Sequence, residues 1–358
     1  MERYKFPYKW TLKDAHFTKD KGTVFSCFAC GGGSTMGYKL AGFDVIGCNE
    51  IDPRMNKLYV KNHNPKYNFL CDIREMINKD LPYDLYNVDI LDGSPPCSNF
   101  SMAGNREEDW GKKKKFREGQ QEQVLDTLFF DFIALAKKLQ PKIVVAENVK
   151  GLLLGNAKDY VRRIYDGFDD AGYYCQHFLL DGSKMGLPQR RERVFFICLR
   201  KDIATPLLYQ KSLFECIPKL ELEFNGTPIP FREFYQAGIE DRPASRGAMY
   251  EYWQKRQPTD SAFNDTLKRE YGRDSCFSNV YLHLDEVPQT MTSNADCFYL
   301  YEEYRNPNKS ECACISSFPQ DYDFCDSQYC YVEGMSVPPI MMAQIASEIY
   351  NQWLSKLK

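Results

Sequence analysis

The chain has 358 residues, 43% of them hydrophobic and 27% charged, which suits a large domain plus a smaller one and excludes a disordered chain. The net charge of −3 excludes a uniformly basic nucleic-acid binder, so any such role rests on local basic stretches. The start, MERYKFPYKWTLKDAHFTKDKG, has no apolar signal-peptide centre and no apolar run reaches spanning length, so no membrane partner is expected and the 14 cysteines read as reduced thiols of a cytoplasmic protein.

Residues 1–22 read as an irregular, charged extension. TVFSCFA (23–29) then reads as a buried strand, and GGGSTMGYKLAG as a loop opening a short helix. FDVIGCNE is a second strand, and PRMNKLYVKNH a helix with proline in its first turn. YNFLCDI (67–73) is a third strand, and YDLYNVDILDG contains a fourth. EQVLDTLFFDFIALAKKL is an amphipathic helix with Val124, Leu128, Ile133 and Leu135 among its apolar positions. KIVVAEN is a fifth strand, AKDYVRRIYDGFDDAG a helix, YYCQHFLL a sixth strand and RVFFICLR a seventh.

Strands alternate with helices from 23 to 200, which predicts an α/β fold with a doubly wound, mostly parallel, Rossmann-like sheet. From 201 to 285 the period dissolves into mixed proline, aromatic and charged residues, read as a smaller domain. The segment 286–358 ends in SVPPIMMAQIASEIYNQWLSKL, one apolar-faced helix opening on Pro-Pro. There is no internal repeat and no low-complexity tract beyond KKKK at 112–115.

In such a sheet, ligands lie outside the carboxyl ends of the strands. The first strand ends FACGGGSTMG, where glycines let backbone approach a ligand. G-x-G-x-x-G fails, because the sixth position from Gly31 is Met36, so a phosphate cradle is disfavoured. Glu50, ending the second strand, lies near the roughly 20-residue spacing of a ribose hydroxyl acceptor. Together they suggest an adenosine-bearing ligand without pyrophosphate, with Asp72 placed to meet an adenine amino group. A glycine-rich turn beside a surface acid is the plainer alternative. Cys27 and Cys30 form a C-x-x-C, but no second pair accompanies it, and no metal site is expected.

The fourth strand runs into DGSPPCSNF. Pro95 and Pro96 fix φ and remove two backbone donors, so Cys97 sits on a stiff turn suited to a nucleophile, or to an ordinary buried thiol. VVAENV brings Glu147 to the same edge of the sheet. In LPQRRERVF, Gln189, Arg191 and Arg193 alternate, which turns them to one face of an extended segment, where they would hold a base edge, carboxylate or phosphate; the alternative is a solvated strand edge.

The ordered set FACGGGSTMGYKLAG, NEID, CDI, GSPPCSNFS, ENV, QRRERVF, YRNPNKSECACISSFP and GMSVPP resembles the DNA (cytosine-5)-methyltransferases. The match covers roughly 23–200 and 285–358 and leaves the family's variable target-recognition region between. The resemblance implies that Cys97 attacks C6 of a flipped-out cytosine, and that the methyl group of S-adenosylmethionine passes to C5, leaving S-adenosylhomocysteine. It gives Glu147 a contact to N3, and Arg193 with Arg191 contacts to the base oxygen and its surroundings. It assigns cofactor contact to Phe28, Gly31, Gly32, Gly33, Glu50, Ile51, Asp72, Ile73, Pro95, Ser336 and Val337.

Double-stranded DNA is the implied partner, a monomer the implied state, and a restriction endonuclease or a phage the implied setting. Ser98, Lys113, Lys114, Gln189, Arg246, Arg269 and Arg273 are the DNA-contact candidates. Lys112, Lys115 and Arg117 share the basic loop after Cys97; Arg242, Lys255, Arg256 and Lys268 lie among Tyr250, Tyr252, Trp253 and Tyr271. Cys30 stands where the family has a glycine, Ser98 where glutamine is frequent, Met335 where asparagine is usual, and Asn308 where threonine is frequent.

An RNA cytosine-5 methyltransferase on the same scaffold is the nearest rival, but its C-F-T is only approached by CFS at 276 and CFY at 297. A zinc deaminase lacks its H-x-E, and a nicotinamide dehydrogenase its glycine fingerprint. A DNA-binding relic without catalysis would have Met335 in its favour.

Overall fold

Val24 and Phe25, neighbours in the first strand, enter two different hydrophobic cores. The same alternation separates Ile90 from Leu91, Val145 from Val144 and Phe195 from Phe196. A strand buried on both faces needs apolar side chains at successive positions, which is why these segments read as unbroken apolar runs.

The computed structural model describes residues 5–96, 127–154, 157–212, 215–241, 246–273, 279–293 and 297–357. Its first half contains β1 (Thr23–Cys27), α1 (Gly33–Leu40), β2 (Asp44–Glu50), α2 (Pro53–His63), β3 (Tyr67–Leu70), α3 (Ile73–Asn78), β4 (Ile90–Gly93), α4 (Leu128–Leu139), β5 (Ile143–Val149) and α5 (Lys158–Asp170). Then come β6 (Tyr173–Asp181), β7 (Glu192–Arg200), β8 (Leu208–Ser212), β9 (Glu215–Pro218), α6 (Ala248–Gln254), α7 (Phe263–Tyr271), β10 (Val280–Leu282), β11 (Phe298–Leu300), α8 (Lys309–Ser316), α9 (Tyr329–Met335) and α10 (Pro339–Gln352).

Seven strands form one sheet in the order β3-β2-β1-β4-β5-β7-β6. All neighbours are parallel except at β7, which runs antiparallel to both β5 and β6. This is the expected Rossmann-like α/β sheet, with one strand reversed. Every strand expected between 23 and 200 is present. The third stops at Leu70, and the residues after it form α3, a helix not expected from the sequence; Asp72 caps it by accepting the Arg74 N–H at 2.9 Å.

Helices α4 and α5 supply Phe132 and Ile164 to one core, and α10 supplies Met342 and Ile345 to the other. The last helix packs directly on α1: a Cβ on Gly37 would lie 2.5 Å from the Met342 Cβ. Leu220 and Leu222 share the α10 core, while Phe231, Met291, Phe298 and Ile315 build a separate one. The irregular N-terminal stretch is anchored, since buried Trp10 donates its indole N–H to the Ser317 carbonyl at 2.9 Å. Among the described residues no helix is long and apolar enough to cross a membrane.

Candidate active site

The strand order reverses between β1 and β4, where Cys27 pairs with Gly93. A crevice opens at such a switch point, and the two loops that line it follow β1 and β4. The loop after β1 bends through two left-handed non-glycine residues, Phe28 (φ 52°) and Cys30 (φ 45°). Such conformations cost of order 1 kcal/mol each and cluster at functional sites. Burial pushes the Cys30 thiol up to about 12, which keeps it neutral.

The glycine run after it is closed by protein. A Cβ on Gly31 would lie 2.2 Å from Val332, on Gly32 2.2 Å from His63 Nε2, and on Gly33 2.1 Å from the Val337 carbonyl oxygen. Tyr322 donates to the Gly31 carbonyl at 2.7 Å. The glycines are therefore required first by the C-terminal segment and by α2 that pack on the loop, a use the sequence reading did not assign them.

Glu50 is buried at the end of β2. Its Oε2 accepts the Cys30 N–H at 2.7 Å, and its Oε1 accepts from Ile51 and Asp52 at 2.8 and 2.9 Å. Burial raises its pKa, opposed by these backbone donors. Asp72 is paired with Arg74 at 3.1 Å, and Ile73 is buried in the α4 core. Ser336 and Val337 are buried against the glycine loop; Ser336 donates to the Val332 carbonyl at 2.7 Å and lies 3.9 Å from the Cys30 sulfur. The residues expected at the cofactor thus line the carboxyl ends of four adjacent strands and the turn between α9 and α10.

β4 ends at Gly93, where a Cβ would lie 2.6 Å from the Phe132 ring. Pro95 is buried, and its carbonyl accepts from Asn148 Nδ2 at 3.1 Å. Asn148 thereby ties the proline turn to the end of β5, a role that no spacing signal announced beyond its place after Glu147. Cys97 and Ser98 lie outside the described residues, as do Lys113, Lys114 and the rest of the basic loop.

Glu147 Oε1 pairs with Arg193 Nε at 3.1 Å, both side chains largely buried. Burial lowers the Arg193 pKa and the carboxylate opposes that shift. Beneath them Asp92, fully enclosed, accepts hydrogen bonds from Ser26 at 2.9 Å and Ser34 at 2.6 Å.

Two of the expected contact residues are engaged within the protein. Gln189, expected at the DNA, is buried: its Nε2 donates to the Ile315 carbonyl at 3.0 Å and its Oε1 accepts the Met291 N–H at 2.9 Å. Arg191, expected at the base with Arg193, spends its guanidinium on the carbonyls of Met291 (2.9 Å), Gly334 (3.0 Å) and Ser336 (3.1 Å). Both lie just before or at the edge of β7, where unpaired backbone carbonyls of the C-terminal segment take up their donors. The alternation rule gave their common side, and the protein rather than a ligand fills it.

The model of the C-5 cytosine-specific DNA methylases matches residues 22–351. The chain belongs to this family. The family member M.FnuDI of Fusobacterium nucleatum, a type II methyltransferase, is 36% identical over 180 residues, 50% of this chain and 47% of its own length. The chain thus aligns with about half the length of such relatives. M.NgoFVII of Neisseria gonorrhoeae, also a type II methyltransferase, aligns over 94% of this chain and 89% of its own at 28% identity. Among solved structures, a prophage-encoded protein of E. coli superposes with a TM-score of 0.62 at 19% identity, covering 92% of this chain and 99% of that one. DNMT2 of Spodoptera frugiperda gives 0.58 at 17% identity, covering 90% and 98%. These two likenesses speak to the fold.

In the segment between the family's matched motifs, cations and aromatic rings pair with one another. Arg246 lies 5.6 Å over Tyr250, and Arg273 lies 5.6 Å over Tyr271 and donates to the Tyr252 hydroxyl at 3.0 Å. Arg269 pairs with buried Asp260 at 2.5 Å, and Arg256 is stacked 3.3 Å over Trp253. Of these, Arg246, Arg269 and Arg273 are exposed. Arg242 lies outside the described residues.

The family's departures at Asn308 and Met335 have distinct surroundings. Asn308 caps α8 by accepting the Glu311 N–H at 2.9 Å, a position any short polar side chain serves. Met335 is 42% exposed beside Ser336.

Proposed function

We propose that this chain is a site-specific DNA cytosine-5 methyltransferase. The observation that carries the reading is the buried Glu147–Arg193 pair at the carboxyl edge of the sheet, joined through Asn148 to the proline turn that leads to Cys97. S-adenosylmethionine fits the donor set: the buried Glu50 carboxylate suits ribose hydroxyls, Asp72 suits an adenine amino group, and the closed glycine loop offers no cradle for a pyrophosphate. When bound, it supplies an electrophilic methyl group.

The protein's part is to make cytosine C5 nucleophilic. The Cys97 thiolate adds to C6 of a base flipped out of the duplex. Glu147 meets N3, and a proton held there offsets the negative charge that the addition places on the ring. Arg193 fixes the Glu147 carboxylate and offers its remaining N–H donors to the base oxygen. After the methyl group has reached C5, a base from solvent takes the C5 proton, the freed electron pair re-forms the C5–C6 double bond, and the C6–S bond breaks to release the Cys97 thiolate. Residues 201–285 serve as the target-recognition region, and the exposed Arg246, Arg269 and Arg273 are its candidate contacts to phosphates or bases.

The test is incubation with labelled S-adenosylmethionine and unmethylated DNA of mixed sequence, with transfer RNA in parallel, followed by mapping of modified cytosines. Label in DNA at a defined sequence, lost in Cys97→Ser with cofactor binding retained, is the expected outcome. Label confined to RNA selects the RNA enzyme on the same scaffold, and no label in DNA overturns the reading.

A further inference from the structure

Asp92, one residue before the end of β4, lies inside a shell of hydroxyls. Ser26 on β1 and Ser34 in the first turn of α1 donate to its Oδ2 at 2.9 and 2.6 Å, and Tyr38 reaches Oδ1 at 3.4 Å. It is 1% exposed, and among the described residues no cation pairs with it. A buried carboxylate served only by neutral donors opposes folding. Its persistence at the switch point of the sheet therefore calls for a functional reason.

Its position supplies one. The side chain is tied to α1, which grows directly out of the glycine loop at 31–33. Its backbone lies in β4, four residues before Pro96, so the same residue anchors the strand from which Pro95 and Pro96 follow. We propose that Asp92 is a positioning residue that holds the methyl-donor loop and the thiol turn in register for methyl transfer. This rests on the functional reading above, which places the donor at the first loop and the nucleophile on the second. Reacting groups displaced by about 1 Å can lose a hundredfold in rate.

The groups facing Asp92 come from every neighbouring element: Ser26 and Cys27 of β1, Ser34 and Tyr38 of α1, Tyr59 of α2 and Glu147 of β5. Burial holds Cys27, Tyr38 and Tyr59 neutral. Burial likewise pushes the Asp92 carboxyl up to about 6, Glu147 adds to the rise, and the three hydroxyl donors oppose it. Above that pH the carboxylate accepts from all three hydroxyls; once protonated it must itself donate, and one of those bonds has to reverse.

The experiment compares wild type, Asp92→Asn and Ser34→Ala between pH 5.5 and 8.5, measuring methyl transfer to unmethylated plasmid DNA, calorimetric binding of S-adenosylmethionine, and urea denaturation. Ser34→Ala removes the shorter of the two α1 hydrogen bonds while leaving the carboxylate, and so serves if Asp92→Asn does not fold. Both variants are expected to lower kcat about tenfold at pH 8 and to keep KM for S-adenosylmethionine within about threefold. The acid limb of the wild-type kcat profile near pH 6 is expected to be absent in Asp92→Asn. A merely structural role would instead lower activity in proportion to folded protein. That result, an unchanged kcat in both variants, or a rise in KM with kcat preserved overturns the proposal. A wild-type protein that binds S-adenosylmethionine yet methylates no DNA removes the functional reading, and this proposal with it; a methylating wild type with unaltered variants removes this proposal alone.

Discussion

Arg193 Nε lies 3.1 Å from Glu147 Oε1 because β7 runs against β5. In that register Val149 faces Arg193 and Glu147 faces Phe195, so the two charged side chains are diagonal neighbours on one face. The start of β7 reaches the carboxyl edge of the sheet only because this strand is reversed. Breaking a buried pair leaves an unpaired charge, at roughly 3–5 kcal/mol. Arg193→Ala is accordingly expected to cost about 3 kcal/mol in urea denaturation and to abolish methyl transfer. Arg193→Met combined with Glu147→Gln is expected to recover most of the stability and none of the activity.

Asn148 tests the placement of the thiol turn without touching Glu147. Its Nδ2 donates to the Pro95 carbonyl at 3.1 Å, inside the protein. Asn148→Ala is expected to cost roughly 1–2 kcal/mol for the lost bond and the buried carbonyl left behind. Its kcat is expected to fall at least tenfold with little change in calorimetric affinity for S-adenosylmethionine.

Arg191 is expected to act on the architecture rather than on the base. Its three carbonyl contacts tie the edge of β7 to the segment that packs on the glycine loop. Lysine cannot reproduce the planar fork. Arg191→Lys is expected to lower stability by about 2 kcal/mol and to raise KM for S-adenosylmethionine more than it lowers kcat, as steady-state kinetics would read.

Gly33→Ala places a Cβ 2.1 Å from the Val337 carbonyl oxygen, a backbone atom that cannot swing aside. The expected loss is at least about 2 kcal/mol, as overpacking of a closed interior. Tryptophan fluorescence during thermal unfolding would follow it through Trp353, which is buried in the α10 core.

Asp92 gives a stability signature with a definite sign. Its folded-state pKa, about 6, stands above the ordinary 3.8. The folded chain therefore holds a proton that the unfolded chain releases across that interval, and stability is lost as pH rises through it. The loss is on the order of 3 kcal/mol above pH 6. Asp92→Asn does not titrate, so its stability relative to wild type is expected to increase by about that amount between pH 4 and pH 7 in urea denaturation.

Between residues 23 and 200 the sequence by itself determined the seven strands and every α-helix but α3, because burial on two sheet faces requires continuous apolar runs and covering helices require a period near 3.6. It also determined the chemistry available at the loop ends, since thiol, carboxylate and guanidinium are properties of residue type. It did not reveal the reversal of β7, which has the same apolar run whichever way it points and is decided by the neighbours it pairs with. Alternation alone did not separate Arg193 from Arg191: two like residues two positions apart share a side, and only the packed C-terminal segment turns one to its carbonyls and leaves the other to Glu147. The glycine run is legible as a tight turn, but the atoms that would collide with a Cβ come from His63, Val332 and Val337, remote in the chain. In DILDG Asp92 is one acid beside apolar residues, and its hydroxyl shell exists only once β1, α1 and β4 are assembled. Local periodicity is written in neighbouring residues; who fills a pocket or satisfies a donor is a property of contacts between distant ones, and those are set when the sheet closes.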